Sequence, residues 1–303
     1  MPIQFSAGIS LLRVGVAPGA SAETLWEIPD TIGVFMQNVT QGTEYVVNSP
    51  YRVAAAGALG SFISAGTPNY FPLSNDDFSF KAYYPYKNDA TITSITTPIQ
   101  IDVSNQTQSA TNRIDVLYAA NDNGGSYFHN FDSPPIPLTF SHIMSKLVVN
   151  VTRGTGVTGA LTATSVKLKS MVAKGDVDLF NGTIAAVSGS ETIIQARQVT
   201  TGTPRQYEAI LVPHTFPPAG GAETDSIVIT AGAKVYAISL LRAFSTATPA
   251  PVIAFESGKK YTLNAELTVG VGTSADYVIG ATTSPWGSVS GLKPAEDCGS
   301  SPQ

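Results

Sequence analysis

Apolar and polar residues alternate with a period of two along much of this chain, whereas the spacing of an amphipathic helix is hardly sustained anywhere. The clearest run covers residues 3–11, where one face carries only the apolar side chains of Ile3, Phe5, Ala7, Ile9 and Leu11. Because successive side chains of a strand point to opposite faces, this run predicts a strand with one buried and one wet face. The recurrence of the pattern predicts an all-β fold.

Further strands are predicted in both halves of the chain, separated by clusters rich in Gly, Pro, Asn, Asp and Ser. In the first half they fall at residues 32–36, 45–47, 78–84, 99–103 and 116–119. In the second half they fall at residues 146–152, 165–169, 177–179, 207–212, 226–230, 234–240, 261–267 and 277–279. Residues 53–65 stay open as a short helix or an apolar loop. The number of strands suits a β-sandwich in each half.

The segment between the halves contains residues that interrupt strand pairing. Residues 121–125 read Asn-Asp-Asn-Gly-Gly, and Pro134, Pro135 and Pro137 follow them. We therefore predict a first domain over residues 1–133 and a second domain, with a polar tail, over residues 134–303.

The composition excludes several classes of protein. The 303 residues include 17 basic and 22 acidic side chains, a net charge of −5, so nucleic acid is not an expected partner. An apolar fraction of 43% is enough for a buried core and excludes a disordered or collagen-like chain. No run of apolar residues is long enough to predict a transmembrane helix, and the first residues lack the pattern of a signal peptide. The protein is then either cytosolic or exported with its signal removed.

The titratable residues do not have the spacing of a metal or catalytic site. His129, His142 and His214 lie far apart, and none belongs to a metal-binding arrangement such as H-E-x-x-H. We expect His142 to make a structural hydrogen bond at a bend between strands. The acidic pairs at positions 76–77 and 296–297 are adjacent, so each pair points to two opposite faces. The one cysteine, Cys298, can form no internal disulfide, and its role stays open.

A glycine-rich run at residues 270–275 formally matches the dinucleotide-binding pattern. The residues after this run have the pattern of a strand and not of the helix that such a site needs, so a hairpin loop accounts for the glycines better. The sequence contains no nucleophile elbow, phosphate-binding loop or EF-hand loop. We therefore predict no catalytic residue, no cofactor and no metal ion, and keep a hydrolase built from distant carboxylates as a third interpretation.

The aromatic residues around positions 78–86 need separate consideration, because exposed tyrosines on a β-scaffold can stack on sugars. Alternation places Phe78, Phe80, Ala82 and Tyr84 on one face and Tyr83 on the other, as in a core strand that ends in a proline turn. Carbohydrate binding, through this region or through the loop at residues 127–129, is the alternative.

Several short motifs occur in order along the chain. They are Ile3-Gln4-Phe5-Ser6, Trp26 followed by Asp30-Thr31-Ile32-Gly33-Val34-Phe35, Phe80-Lys81-Ala82-Tyr83-Tyr84-Pro85-Tyr86, Asp115-Val116-Leu117-Tyr118-Ala119, Leu138-Thr139-Phe140-Ser141-His142-Ile143-Met144-Ser145-Lys146-Leu147 with Val148-Val149-Asn150-Val151, and Phe255-Glu256-Ser257-Gly258-Lys259-Lys260-Tyr261 before Trp286. In this order they resemble the fimbrillin family, the type V pilins and associated proteins of Bacteroidales. The resemblance spans nearly the whole chain.

The resemblance implies two tandem transthyretin-like Greek-key β-sandwich domains in an exported lipoprotein precursor, located at the cell surface in a fimbrium on the outer membrane. It implies no enzymatic activity, and it implies other pilin subunits as partners in a homopolymer or heteropolymer. Stalk members of the family are cut by an Arg-specific protease after the first strand, and a neighbouring subunit then fills the groove. The lipid is attached to a cysteine behind the signal peptide, and the chain shows neither, so its numbering is expected to begin after that point.

Applied to this chain, the family pattern makes residues 3–11 the removable strand and Arg13 the candidate processing site. The tail after Trp286 is polar and rich in Gly and Pro, which makes it a poor donor strand. Either the donor lies at residues 277–279 and beyond, or the protein is a tip, anchor or accessory subunit. The leading hypothesis is a non-enzymatic pilus subunit that assembles by strand exchange and serves adhesion, and the alternative is a surface carbohydrate-binding protein or an accessory pilin that does not polymerise.

Overall fold

A computed structural model describes residues 2–9, 25–107, 113–129, 135–154, 164–202, 204–215, 226–232, 234–244, 254–269 and 275–285. Within these ranges the chain is all-β, with one short helix, and no helix there is long and apolar enough to span a membrane. The strands are β1 (Phe5–Ile9), β2 (Thr31–Asn38), β3 (Thr43–Ala55), β4 (Leu59–Ser64), β5 (Phe78–Tyr84), β6 (Ile99–Asp102), β7 (Leu117–Asn121), β8 (Ile136–His142), β9 (Ser145–Arg153), β10 (Thr164–Val172), β11 (Lys174–Asp178), β12 (Thr183–Ala186), β13 (Glu191–Gln195), β14 (Arg197–Thr200), β15 (Arg205–Leu211), β16 (His214–Thr215), β17 (Ser226–Ala231), β18 (Lys234–Ser239), β19 (Ala254–Phe255), β20 (Lys259–Val269) and β21 (Ala275–Pro285). The helix α1 is Leu240–Phe244, and a 3-10 turn lies at Asn123–Gly125.

Seven strands form a sheet that closes on itself, in the order β1-β4-β3-β2-β5-β7-β8. The closure depends on β1, which pairs antiparallel with β4 on one side and parallel with β8 on the other. The inward-facing residues of these strands alternate with outward-facing ones and form one aromatic-rich core. The core of the closed sheet includes Phe5, Trp26, Tyr51, Phe62, Phe80 and Phe140.

The second half of the chain forms a sandwich-like arrangement. A five-stranded sheet has the order β14-β15-β9-β20-β21, and a four-stranded sheet has the order β13-β10-β17-β18. Buried aliphatic side chains of both sheets belong to one core, which includes Val149 and Val151 from β9 and Leu168 from β10. Two smaller sheets, β12-β11-β6 and β16-β19, complete this half.

The two halves meet on the outer face of β5 and β7. Phe35 and Tyr83 point away from the core of the closed sheet and join the core of the second half, together with Ile95. Lys81 donates a hydrogen bond from Nζ to the Phe180 carbonyl oxygen at 2.7 Å, and its ammonium lies 3.6 Å from the centroid of the Phe180 ring. The outer face of the closed sheet is therefore covered here by the β11–β12 hairpin.

The structure confirms the all-β prediction, and β5 has the bounds expected for Phe78–Tyr84. The helix-or-loop interpretation of residues 53–65 was wrong, because β3 continues through Ala55 and β4 occupies Leu59–Ser64. Residue 240, predicted as the end of a strand, begins α1. Residues 270–274 of the glycine-rich run lie outside the described residues, but the strands before and after them pair antiparallel up to Val269 and Ala275, as the hairpin interpretation requires.

The division of domains near residue 133 stays a prediction. The hydrogen-bonded ladders show how strands on either side of that point are grouped. β8, which comes after it in sequence, pairs with β1 and β7 in the closed sheet. β6, which precedes it, pairs with β11 of the second half.

Candidate functional site: the first strand and its groove

The first strand is held in the closed sheet on both of its edges. Phe5 faces Phe62 of β4 and Ile136 of β8 in the two ladders. Pairing continues before the strand, because the Ile3 amide donates to the Asn69 carbonyl at 2.9 Å and the Ile136 amide donates to the Gln4 carbonyl at 2.9 Å. Removal of β1 would therefore leave two unpaired edges, one on β4 and one on β8.

The buried face of β1 matches the alternation seen in the sequence. Ile3 is 2% exposed, and Phe5 and Ala7 are 0% exposed. Ile9 is half-buried. Burial of the two large side chains, Ile3 and Phe5, contributes about 3–6 kcal/mol at about 1.5–3 kcal/mol each. Leu11 and Arg13 lie outside the described residues.

Each inward side chain of β1 occupies a site of a different size. The Phe5 ring packs edge-on against Tyr51 and Phe80, with centroid distances of 4.8 and 5.3 Å. Ala7 lies opposite Gly60 in the ladder with β4. A Cβ atom on Gly60 would lie 2.9 Å from Cδ1 of Trp26 and 3.0 Å from Cε2 of Phe62. The groove thus offers an aromatic socket at position 5 and little room at position 7.

Trp26 limits the space at Gly60, the ladder partner of Ala7, because its ring is fixed from several directions. It is 1% exposed, and its ring packs edge-on against Phe62, Tyr84 and Phe140 at centroid distances of 5.0, 5.5 and 5.2 Å. Its backbone forms a two-way bridge with Gly57, with hydrogen bonds of 2.9 and 3.0 Å. Sequence reasoning used Trp26 only as a motif residue and missed Gly60, since a buried glycine leaves no hydrophobic signal.

The chain leaves β1 beside a charged cavity of about 230 Å³, which Ile9 and Leu25 both line. Lys146 and Glu208 line it from the second half of the chain, and their Nζ and Oε1 atoms are 3.0 Å apart. Burial lowers the pKa of Lys146, and the Glu208 carboxylate offsets part of that effect. The Lys146–Glu208 pair therefore lies where the two halves meet next to the end of β1.

Each of the three histidines has a ring nitrogen within hydrogen-bonding distance of an oxygen atom elsewhere in the fold. His142 is the last residue of β8, and its Nδ1 lies 3.0 Å from Oδ2 of Asp115, which confirms the expected hydrogen bond at a bend. Nε2 of His129 lies 2.8 Å from Oδ1 of Asp77, and Nδ1 of His214 lies 2.8 Å from the Val212 carbonyl oxygen. Among the described residues, no group of three or more His, Cys, Asp or Glu side chains could hold a metal ion.

Several solved structures of bacterial proteins share this all-β fold. A candidate cell adhesion protein from Bacteroides uniformis ATCC 8492 superposes with a TM-score of 0.68 at 20% identity, over 94% of this chain and 98% of that one. A second, from Bacteroides ovatus ATCC 8483, gives the same values. The tip fimbrial protein Mfa3 from Porphyromonas gingivalis has a TM-score of 0.51 at 11% identity, over 83% of this chain and 93% of that one. At these identities the likeness establishes the fold alone.

Residues 18–286 match a family model described as fimbrillin-like, and the chain belongs to this family. A candidate fimbrium subunit, Fim1C of Bacteroides uniformis, is 30% identical over 209 residues, which is 68% of this chain. The matched part spans 59% of the length of that relative. The family resemblance read from the sequence is confirmed. Fimbrillin-like proteins are structural subunits of cell-surface fimbriae and not enzymes.

Proposed function

We propose that this protein is a pilus subunit whose first strand is a removable plug, and that a strand from another subunit takes its place. The observation that carries the proposal is the two-sided pairing of β1, the first strand of the chain, within a seven-stranded sheet that closes on itself. Two unpaired strand edges beside an apolar socket form a template for strand addition from another chain. The partners are therefore other pilin subunits, in a homopolymer or a heteropolymer.

We place the cut at Arg13, which lies four positions after Ile9. Cleavage there would separate β1 from the rest of the chain while its backbone and side-chain contacts still held it in place. The burial of Ile3 and Phe5 would then oppose its release by about 3–6 kcal/mol, an amount that a donor strand with matching side chains can replace. The groove would favour a donor with an aromatic residue where Phe5 lies and a small residue where Ala7 lies.

The donor strand and the position in the fibre are inferred from the free edges of the fold. β21 is the last strand of its sheet and pairs with β20 alone among the described strands. It contains residues 277–279, so it is our candidate donor if the protein is a stalk subunit. A tip, anchor or accessory subunit would accept a strand without donating one, and these roles stay alternatives.

The remaining family features belong to the same proposal. We infer two tandem transthyretin-like Greek-key domains, divided near residue 133, in an exported lipoprotein precursor that reaches the outer membrane. The closed sheet and the sandwich-like second half are consistent with two β-domains. We expect no cofactor.

The loop at residues 127–129 offers less free side-chain surface for carbohydrate binding than its sequence indicates. Phe128 is 6% exposed and packs edge-on against Phe80, with ring centroids 5.5 Å apart. The His129 side chain is paired with Asp77. Tyr83, Pro85 and Tyr86, the other residues considered for sugar binding, line a separate cavity.

Limited digestion of the folded protein with an Arg-specific protease tests the proposal. Mass spectrometry identifies the new amino terminus, and light scattering monitors particle size over several days. We expect cleavage after Arg13 and growth into polymers, while Arg13→Gln stays intact and monomeric. Polymers that retain Ile3 at their amino terminus, or a cleaved protein that stays monomeric with every partner subunit supplied, would contradict it.

A further inference from the structure

A cavity of about 420 Å³ lies between the end of β5, the free edge of β6 and the segment that enters β7. Its walls include Tyr86, Lys87, Gln100, Asp102, Arg113 and Lys174. This volume falls within the range of about 300–1,000 Å³ that small-molecule sites occupy. The cavity is separate from the groove of β1, because neither β1, β4 nor β8 contributes a residue to its described lining.

The charged side chains of this cavity are mostly cationic. Lys87, Arg113 and Lys174 line it, against the single carboxylate of Asp102. The chain as a whole carries a net charge of −5, so the excess of positive charge in this cavity is opposite in sign to the net charge of the protein. Low-dielectric walls strengthen the potential inside such a cavity and favour an anionic ligand.

The backbone of β6 adds hydrogen-bond donors to the same wall. The Val103 amide donates to the Ala173 carbonyl at 2.8 Å, and Asp102 lies opposite Lys174 in the ladder. Because antiparallel partners alternate, the amides of Gln100 and Asp102 point away from β11, toward the free edge. The Gln100 carbonyl on this edge accepts a hydrogen bond from Nζ of Lys87.

Arg113 is only partly satisfied by its neighbours. Its Nη2 atom lies 3.2 Å from Oε2 of Glu27, while its Nε atom is buried without a hydrogen-bond partner among the described residues. A buried donor without an acceptor costs about 1–3 kcal/mol. An oxygen-rich ligand in the cavity would supply the missing acceptor.

The apolar part of the cavity suits a sugar ring. Tyr86 and Pro85 line one side, and Ile101 and Ile114 line the others. Tyr83 forms a fixed wall, because its hydroxyl donates to Oδ1 of Asn48 at 2.8 Å and accepts from the Lys87 amide at 3.1 Å. Flat aromatic and apolar surfaces pack against the C–H faces of a ligand, while the polar groups fix its orientation.

We propose that this cavity binds a carboxylate-bearing sugar of one or two rings. Lys174 and Arg113 would hold the carboxylate, the amides of β6 would bind ring hydroxyls, and Tyr86 would pack against the ring. The inference does not depend on strand exchange, since the cavity is formed with β1 in place. It would give the subunit a contact with acidic glycans in addition to its role in a fibre.

Isothermal titration of the intact full chain tests the proposal, with D-glucuronate and N-acetylneuraminate as probes and D-glucose and sulfate as controls. We expect at least one acidic sugar to bind and D-glucose to show no measurable heat. Sulfate should bind at least about tenfold more weakly, a difference of about 1.4 kcal/mol. Lys174→Gln should weaken binding of the acidic sugar by about tenfold or more, while Lys167→Gln, an exposed lysine on β10, should leave it unchanged.

Circular dichroism confirms that both variants are folded. Tyr86→Ala independently tests the proposed contact between the Tyr86 side chain and the sugar ring. No binding of either acidic sugar would overturn the proposal. Equal binding of sulfate would reduce the cavity to a simple anion site, and equal binding by the Lys174→Gln protein would place the ligand elsewhere. Either result would overturn the proposal and leave the strand-exchange mechanism untouched.

Discussion

Gly60→Ala is a sharp test of how the groove is packed. The added Cβ would lie 2.9 Å from Cδ1 and 3.0 Å from Cγ of Trp26, and 3.0 Å from Cε2 of Phe62. Carbon atoms in favourable contact are about 3.5–4.0 Å apart, so the overlap with Trp26 is about 0.6 Å or more. The Trp26 ring cannot simply move aside, because Phe62, Tyr84 and Phe140 enclose it.

Overpacking of a rigid core site costs about 1–3 kcal/mol, and we expect Gly60→Ala to reduce the free energy of unfolding by that amount. Equilibrium unfolding in urea, monitored by circular dichroism, gives the value from the shift in midpoint at an unchanged slope. Gly66→Ala is the matched control, since a Cβ there would meet nothing within 4 Å. We expect the control to stay within about 0.5 kcal/mol of the unsubstituted protein.

The result that would refute this reasoning is a Gly60→Ala protein as stable as the Gly66→Ala protein. Trp26 would then not be fixed beside Gly60, the ladder partner of Ala7. The size limit that we assign to position 7 of any replacing strand would lose its basis as well.

Two further predictions concern single side chains. Phe5→Ala should lower the free energy of unfolding by about 3–5 kcal/mol in urea, whereas Ser6→Ala on the other face of β1 should change it by about 0.5 kcal/mol or less. Burial raises the pKa of Tyr261 to about 12, although its hydrogen bond from the Glu256 amide acts in the opposite direction. In the unfolded chain Tyr261 ionises from about pH 10, while in the folded chain it keeps its proton, so this one residue should contribute a loss of stability of about 2–3 kcal/mol between about pH 10 and 12. Tyr261→Phe should lack this part of the decline, and an identical pH profile for both proteins would contradict it.

The sequence was sufficient to predict β1 but not its neighbours. Alternation predicts a buried face that includes Ile3, Phe5 and Ala7, and these residues are buried, because the period of a strand is a local property. Its parallel partner β8 begins at Ile136, and no local pattern links segments so distant in sequence. The two-sided pairing of β1 within a closed sheet is therefore visible only in the fold.

β4 was missed because its inward residues are Gly60 and Phe62, and a glycine carries no hydrophobic signal. Tyr83 was expected to face outward and does so relative to the closed sheet, yet it is only 2% exposed because the second half covers it. The cationic cavity was equally invisible in the sequence. Its walls come from four separate segments, around residues 83–87, 99–102, 113–116 and 174–177.

Assembly by strand exchange requires β1 to leave its groove, and a disulfide across β1 and β4 tests this requirement most directly. Ser6 and Ser61 are partners in the antiparallel ladder. Such partners have Cα atoms about 4.5–5.5 Å apart, within the range of about 4.4–6.8 Å found for disulfides. Ser6→Cys/Ser61→Cys, combined with Cys298→Ser, would therefore fix β1 in place when oxidised and free it when reduced.

After treatment with the Arg-specific protease, size is measured by light scattering with and without reductant. We predict that the oxidised protein stays monomeric after cleavage and that the reduced protein grows into polymers as the Cys298→Ser protein does. Equal growth of the oxidised and reduced proteins would contradict strand exchange, because subunits would then assemble with the first strand still in its groove.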